Sequence, residues 1–142
     1  MQFTNAVTIR RSPGEVFAYL STFENIPRWN YAIAETRQTS AGPVGVGTTY
    51  RQRRTVPRQS EEAFEVIEFV PDARIAIRGD LGPLEGTLTY QLEAVPDGTR
   101  LTNDADLTAR GLLGIAAPLA TARIREAVEA NLNELKRVLE TE

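Results

Sequence analysis

Cysteine and histidine are both absent from the 142 residues. Without cysteine there is no disulfide, no thiolate nucleophile and no zinc–thiolate site. Without histidine the commonest general base and the commonest imidazole metal ligand are missing as well. Lysine is nearly absent: Lys136 stands alone among many arginines, a bias that points to a bacterial source with a GC-rich genome. No long apolar run is present either. The longest, Leu112 to Ala120, falls far short of the ~20 residues that a spanning helix needs. The N-terminus leads into alternating strand-like sequence rather than a basic start and an apolar signal core, so a cytoplasmic location is expected. The formal charge of −3 argues against nucleic acid as a partner, because such proteins carry a basic face.

What is present suits an ordinary soluble domain. Hydrophobic residues make up 42% and charged residues 25% of the chain, both near the average for globular proteins. A domain of this length buries roughly 68–70% of its unfolded surface, enough to dispense with disulfides or metals. Residues 1–142 are therefore read as a single domain, with no metal and no cofactor expected.

Residues Gln2 to Arg10 alternate, with Phe3, Asn5, Val7 and Ile9 on one face of a half-buried strand. Ser12-Pro13-Gly14-Glu15 has the form of a capping box with proline at the first helical position. It predicts a short helix that buries Val16, Phe17 and Leu20, and a second short helix is expected over Glu24 to Trp29, with Pro27 near its end. Further strands are read at Tyr31–Thr39, Thr48–Val56, Gln59–Val70, Arg74–Leu81, Leu84–Val95 and Thr99–Leu107. The breaks between them hold Gly42-Pro43, Pro57, Pro71-Asp72, Gly82-Pro83 and Pro96-Asp97-Gly98. Connections this short join sequential antiparallel neighbours, since a parallel return needs a crossover of a dozen or more residues.

From about Leu112 to Leu139 the period changes. Ile124, Val128, Leu132, Leu135 and Leu139 form one helical stripe, and Pro118 either kinks this helix or marks its true start. The stripe must be buried, and the sheet is the only large partner. The fold class is α+β: a curved antiparallel sheet of about seven strands, two short helices after the first strand, and a long C-terminal helix across the concave face.

This order, together with the stretches SPGEVFAYL, ENIPRWN, GPVGVGTTY, FEVIEFVPDARIAIRG, GTLTYQLEAVPDGTRLT and NLNELKRVLE, resembles the START-like superfamily, also called SRPBCC. Within it the likeness is to polyketide cyclase/dehydrase-like and lipid-transport-type proteins, and it spans nearly the whole chain. The resemblance implies a helix-grip fold with a cavity between sheet and C-terminal helix. Alternation supports an apolar inner face independently: Leu84, Gly86, Leu88, Tyr90 and Leu92 share one side, as do Leu101, Asn103, Ala105 and Leu107. Gly86 and Ala105 on that face suggest unfilled room.

The cavity so implied takes its candidate ligand-binding residues from several elements. Trp29 is the only tryptophan and is either a wall that stacks on ligand or a core anchor. Tyr50, Gln52, Tyr90 and Asn103 are polar groups on strand faces, and Phe64, Ile77, Leu84 and Leu88 are their apolar neighbours. Leu113, Ala117 and Ile124 would close the cavity from the helix. If Tyr50, Gln52 and Arg54 point inward, Arg54 can receive a carboxylate or phosphate at the mouth. Its plainer use is an ion pair with Glu61, Glu62 or Glu65 on the next strand. The glycines of Gly42-Pro43-Val44-Gly45-Val46-Gly47 precede a strand rather than open a helix, which rejects a nucleotide loop and suggests a loop over the entrance. Asp104 and Asp106 are too few for calcium and belong to a solvated face. The apolar front of the long helix suits a portal or a homodimer contact.

Three functions stay open. The first is a carrier or sensor of an apolar small molecule such as a lipid, polyketide or aromatic metabolite. The second is a cofactor-free cyclase or dehydratase, with Tyr50 or Tyr90 polarising a carbonyl, Arg54 stabilising an enolate, and Glu65 or Asp80 taking a proton. The third is a protein-interaction module. The missing histidine and cysteine favour binding over catalysis.

Overall fold

In the computed structural model, which describes residues 1–109 and 117–141, strand β1 (Gln2–Ile9) runs directly into the expected capping box. The Ser12 hydroxyl accepts from the Glu15 amide at 3.2 Å, and the Glu15 carboxylate accepts from the Ser12 amide. Helix α1 (Pro13–Ser21) follows and buries Val16, Phe17 and Leu20. The second helix differs from expectation. A 3-10 turn at Phe23–Asn25 gives way to a separate α2 (Ile26–Trp29), with Pro27 in its first turn rather than near its end. Proline has no N–H to give an interior helical bond, so it sits where that bond is not required and divides the segment.

Six further strands follow: β2 (Ile33–Gln38), β3 (Thr49–Arg54), β4 (Ser60–Val70), β5 (Arg74–Leu81), β6 (Leu84–Val95) and β7 (Gly98–Ala109). β5 and β6 match the sequence reading residue for residue, whereas β2 and β3 are shorter at both ends, β4 starts one residue later and β7 is longer. All pairings are antiparallel, in the order β1-β7-β6-β5-β4-β3-β2. The chain thus returns once, bringing β7 back to β1, and otherwise builds a meander. Helix α3 (Ala117–Thr141) lies against the inner face, with Pro118 in its first described turn. Residues Leu112 to Ala116 of the expected helix lie outside the described residues. No described helix is long and apolar enough to cross a membrane.

Curvature has a visible cause at the β5–β6 hairpin, where Gly79 faces Gly86. A Cβ on Gly79 would sit 2.2 Å from the Ala63 carbonyl oxygen, and one on Gly86 would sit 2.1 Å from that of Asp106. The sheet closes so tightly here that neighbouring backbone occupies the side-chain space. Gly86 also holds φ at +149°, a conformation that L side chains rarely adopt. The missing side chain of Gly86 therefore leaves no unfilled room, contrary to the sequence reading. Gly86→Ala is expected to lose about 2–3 kcal/mol of stability, combining backbone strain with a steric clash. Urea unfolding checks this; a loss below ~0.5 kcal/mol would show that the hairpin relaxes freely.

The core divides along α3. Its rear half sends Leu132, Leu135 and Leu139 into the main cluster with Ile9, Val16, Leu92, Leu101 and the aromatic residues. Its front half sends Ile124 and Val128, both only half-buried, toward a smaller cluster of Phe3, Leu84, Ala105 and Leu107. That unequal burial positions the site.

Candidate functional site

Between the two clusters lies a cavity of about 500 Å³. Along α3 it is lined by Ala120, Arg123, Ile124, Ala127, Val128, Asn131 and Leu132. These recur at three- and four-residue steps and so form a single face of the helix. Facing them on the sheet are Leu81, Leu84, Leu88, Tyr90 and Leu107, while Trp29 and its neighbours close one side and Arg54, Val56 and Pro57 another. Apolar side chains predominate, with a few polar groups set among them, as in most small-molecule sites.

The cavity has two chemically different ends. β6 leaves the hairpin tip at Leu84 and reaches Tyr90 six residues later, about 20 Å away at ~3.3 Å per residue. α3 runs in the same sense: Ile124 shares a cluster with Leu84, whereas Leu132 joins the cluster containing Tyr90 and Trp29. At the Tyr90 end the Trp29 ring meets the Tyr90 ring edge-on, with centroids 6.5 Å apart. Trp29, Tyr90 and Asn131 are 7%, 8% and 9% exposed, respectively. None of their polar side-chain atoms has a hydrogen-bond partner among the described residues, yet none is sealed off as the Tyr50 hydroxyl and Asn103 carboxamide are. Burial pushes the Tyr90 phenol well above its usual pKa, so it stays neutral and able to donate.

At the hairpin end the polar groups are already matched. The Glu62 side chain is 2% exposed and that of Arg54 is 12% exposed. Arg54 donates to both carboxylate oxygens, from Nε at 2.7 Å and from a terminal nitrogen at 3.0 Å. Gln52 donates to Glu62 at 2.7 Å, and the Gly82 amide supplies a further bond. Four donors saturate the carboxylate, and the network ties β3, β4 and the β5–β6 turn together. Register explains it: inward positions of β3 lie opposite inward positions of β4, with Gln52 paired to Glu62.

A family model described as polyketide cyclase/dehydrase and lipid transport matches residues 1–140. The chain belongs to that family. Uncharacterized proteins Rv2574 of Mycobacterium tuberculosis and Mb2604 of Mycobacterium bovis are each 30% identical to it over 104 residues. The match takes in 70% of this chain but 61% of theirs, so it spans about six tenths of those relatives' length. Among solved structures, TTHA0849 from Thermus thermophilus superposes with a TM-score of 0.80 at 16% identity, covering 98% of this chain and 97% of that one. The di-domain ARO/CYC StfQ from the steffimycin biosynthetic pathway gives 0.80 at 15%, covering 99% of this chain and 50% of that one. The Aha1 dimer from Colwellia psychrerythraea gives 0.67 at 20%, covering 99% and 96%, respectively. At these identities the likeness concerns the fold.

Within this family member the sequence-derived candidates separate into groups. Trp29, Arg54, Leu84, Leu88, Tyr90 and Ile124 line the cavity together. Tyr50, Gln52, Phe64, Ile77 and Asn103 face inward but do not line it. Tyr50 is fully buried, stacked on Phe64 at 5.1 Å and tilted against Phe23 at 4.8 Å. Its pKa is pushed up to about 12 by burial and by the nearby Glu24, which removes it further from acid–base work at neutral pH. Asn103 is wholly buried, with no partner for either carboxamide atom among the described residues. Leu113, and the side chain of Ala117, lie outside the described residues.

The acids assigned to the enzyme reading also fall away from the cavity. Glu65 pairs with Arg78 across the outer face, and Asp80 shares the face of exposed Arg78. Asp104, bonded to Thr4 at 2.7 Å, stands on the outer face as expected. The Gly42–Gly47 loop does not cover the entrance. It joins β2 to the start of β3, the end opposite Arg54, and its Gly47 amide donates to Val66 at 2.8 Å. Sequence reading missed Asn131, although its place seven residues after Ile124 and three after Val128 puts it on the same helical face.

Proposed function

We propose that this protein binds an apolar small molecule, such as a lipid, polyketide or aromatic metabolite, and acts as its carrier or sensor. The observation that carries this reading is the single cavity face: a volume of about 500 Å³ walled by aliphatic and aromatic side chains, with three unpartnered polar groups at one end. Drug-sized and metabolite-sized ligands occupy cavities of ~300–1,000 Å³. A core serving only stability would fill this space, since interiors pack at crystal-like density. No acidic side chain lines the cavity among the described residues, which supports binding over proton-transfer chemistry. A protein-interaction module would instead require a filled interior.

Trp29 provides a built-in reporter, because it is the only tryptophan and lines the cavity. Native mass spectrometry of freshly purified protein, with denaturing extraction of whatever accompanies it, is expected to show a stoichiometric apolar companion. Removing that companion and titrating it back is expected to change Trp29 emission with one-to-one saturation. An empty protein whose Trp29 emission ignores a lipid and polyketide panel would overturn the reading.

A further inference from the structure

We infer that the cavity selects neutral, oxygen-bearing ligands over anionic ones, and that Glu62 sets this selectivity by closing Arg54. The inference rests on the binding reading above and assigns the chemical class of the ligand. Two cations lie on the cavity wall among the described residues, Arg54 and Arg123. Both Glu62 carboxylate oxygens accept along the Nε and Nη2 edge of Arg54, at 2.7 and 3.0 Å, and Nη1 donates to the Val56 carbonyl at 3.4 Å, so Arg54 meets the cavity as half of a neutral pair. Arg123 is exposed to solvent near the start of α3, where water and salt screen its charge. An anion entering the cavity would shed its hydration shell with no inner cation to replace it, a heavy cost for an unpaired ion.

The opposite end of the cavity asks for oxygen without charge. The Trp29 indole can only donate, the Tyr90 hydroxyl donates or accepts, and the Asn131 carboxamide does both. All three are more than nine-tenths buried and have no hydrogen-bond partner among the described residues. A ketone or ester oxygen could accept from up to two of these groups, and a phenol or alcohol could donate as well, with its hydrocarbon body along Leu84, Leu88, Ala127 and Val128. A fatty acid seated with its carboxylate outward at Arg123 would leave those three groups facing hydrocarbon, and each unmet buried group carries a penalty.

Three probes of nearly one shape separate these terms: 2-acetylnaphthalene, 2-naphthoate and 2-ethylnaphthalene, measured by isothermal titration calorimetry at pH 7. The ketone is expected to bind at least about tenfold more tightly than the carboxylate, the scale of one charge or charge-assisted hydrogen bond. It should also bind more tightly than the hydrocarbon, and Tyr90→Phe should shrink that second gap from both sides, weakening the ketone and sparing the hydrocarbon an unmet hydroxyl. Glu62→Gln leaves the Arg54 charge unpaired and is expected to raise carboxylate affinity roughly tenfold. The Arg54→Met/Glu62→Met double variant keeps the wall neutral should Glu62→Gln fold poorly, and it should retain the ketone preference. Carboxylate binding that equals or exceeds ketone binding in the wild type overturns the inference and leaves the cavity reading intact. Failure of all three probes, with an unaltered Trp29 signal, overturns the binding reading itself.

Discussion

Arg54→Met is expected to remove about 3–5 kcal/mol of folding stability, among the largest losses of any single substitution in this chain. The cause is the charge left behind. With Arg54 gone, the Glu62 carboxylate stays 2% exposed and keeps only Gln52 and the Gly82 amide as partners. Small domains are stable by only ~5–15 kcal/mol, so the variant stands close to unfolding. The companion substitution discriminates between causes. Arg54→Met/Glu62→Met removes the stranded charge and is expected to regain most of the loss, because buried ion pairs contribute little beyond apolar residues of similar volume. Urea denaturation of both variants measures this directly. A single variant no less stable than the double variant would mean that Glu62 finds water or relaxes outward, and that the network does not hold the β5–β6 turn over the cavity. Exposed pairs such as Arg51–Glu61, at 3.7 Å with both side chains nearly half exposed, provide the contrast: loss of Arg51 is expected to cost less than about 1 kcal/mol.

The same pair shows how far the sequence is legible. Period-two alternation placed Leu84, Leu88 and Tyr90 on one face and Leu101, Asn103, Ala105 and Leu107 on another, and each of these is buried or half-buried in the structure. Alternation also set Arg54 on the face opposite Arg51 and Arg53, and the structure turns that face inward. Alternation did not single out the partner: Glu62 shares a face with Phe64 and Val66 while Glu61 and Glu65 take the other, but only the β3–β4 register sets Glu62 opposite Gln52 and within reach of Arg54. Depth was equally out of reach. Tyr50 and Tyr90 carry the same signal in sequence, an aromatic hydroxyl on an inward strand position. Yet Tyr50 is enclosed by Phe23 and Phe64 while Tyr90 borders open volume. Which inward residues meet empty space depends on how α1, α2 and α3 fill the concave face, a tertiary outcome that no strand period encodes. Pro27 was misplaced for a simpler reason: a helix stop and a helix start look alike when proline lies between two short helices.

Along α3, equal substitutions are expected to have unequal effects, and the difference tests whether the cavity is a site or a packing defect. Leu135 is fully buried, within the cluster that includes Leu132, Leu139, Leu101 and Leu92. Leu135→Ala removes packed methyl groups, leaves a void, and is expected to cost about 3–5 kcal/mol. Ile124 lies three helical turns earlier on the same apolar stripe but is only half-buried and borders the cavity. Its side chain already faces space on one side, so Ile124→Ala gives up fewer contacts and is expected to cost less than about 2 kcal/mol. Ligand binding should respond in the reverse order. Ile124→Ala enlarges the cavity wall and should change affinity for the co-purifying molecule, whereas a folded Leu135→Ala protein should bind it nearly as the wild type does. Urea unfolding and Trp29 titration of the two variants measure both quantities. If Ile124→Ala were as costly as Leu135→Ala, the front of α3 would be ordinary core and the cavity a packing flaw. If it cost little and shifted binding, the division of α3 into a rear half that holds the fold and a front half that meets ligand would follow.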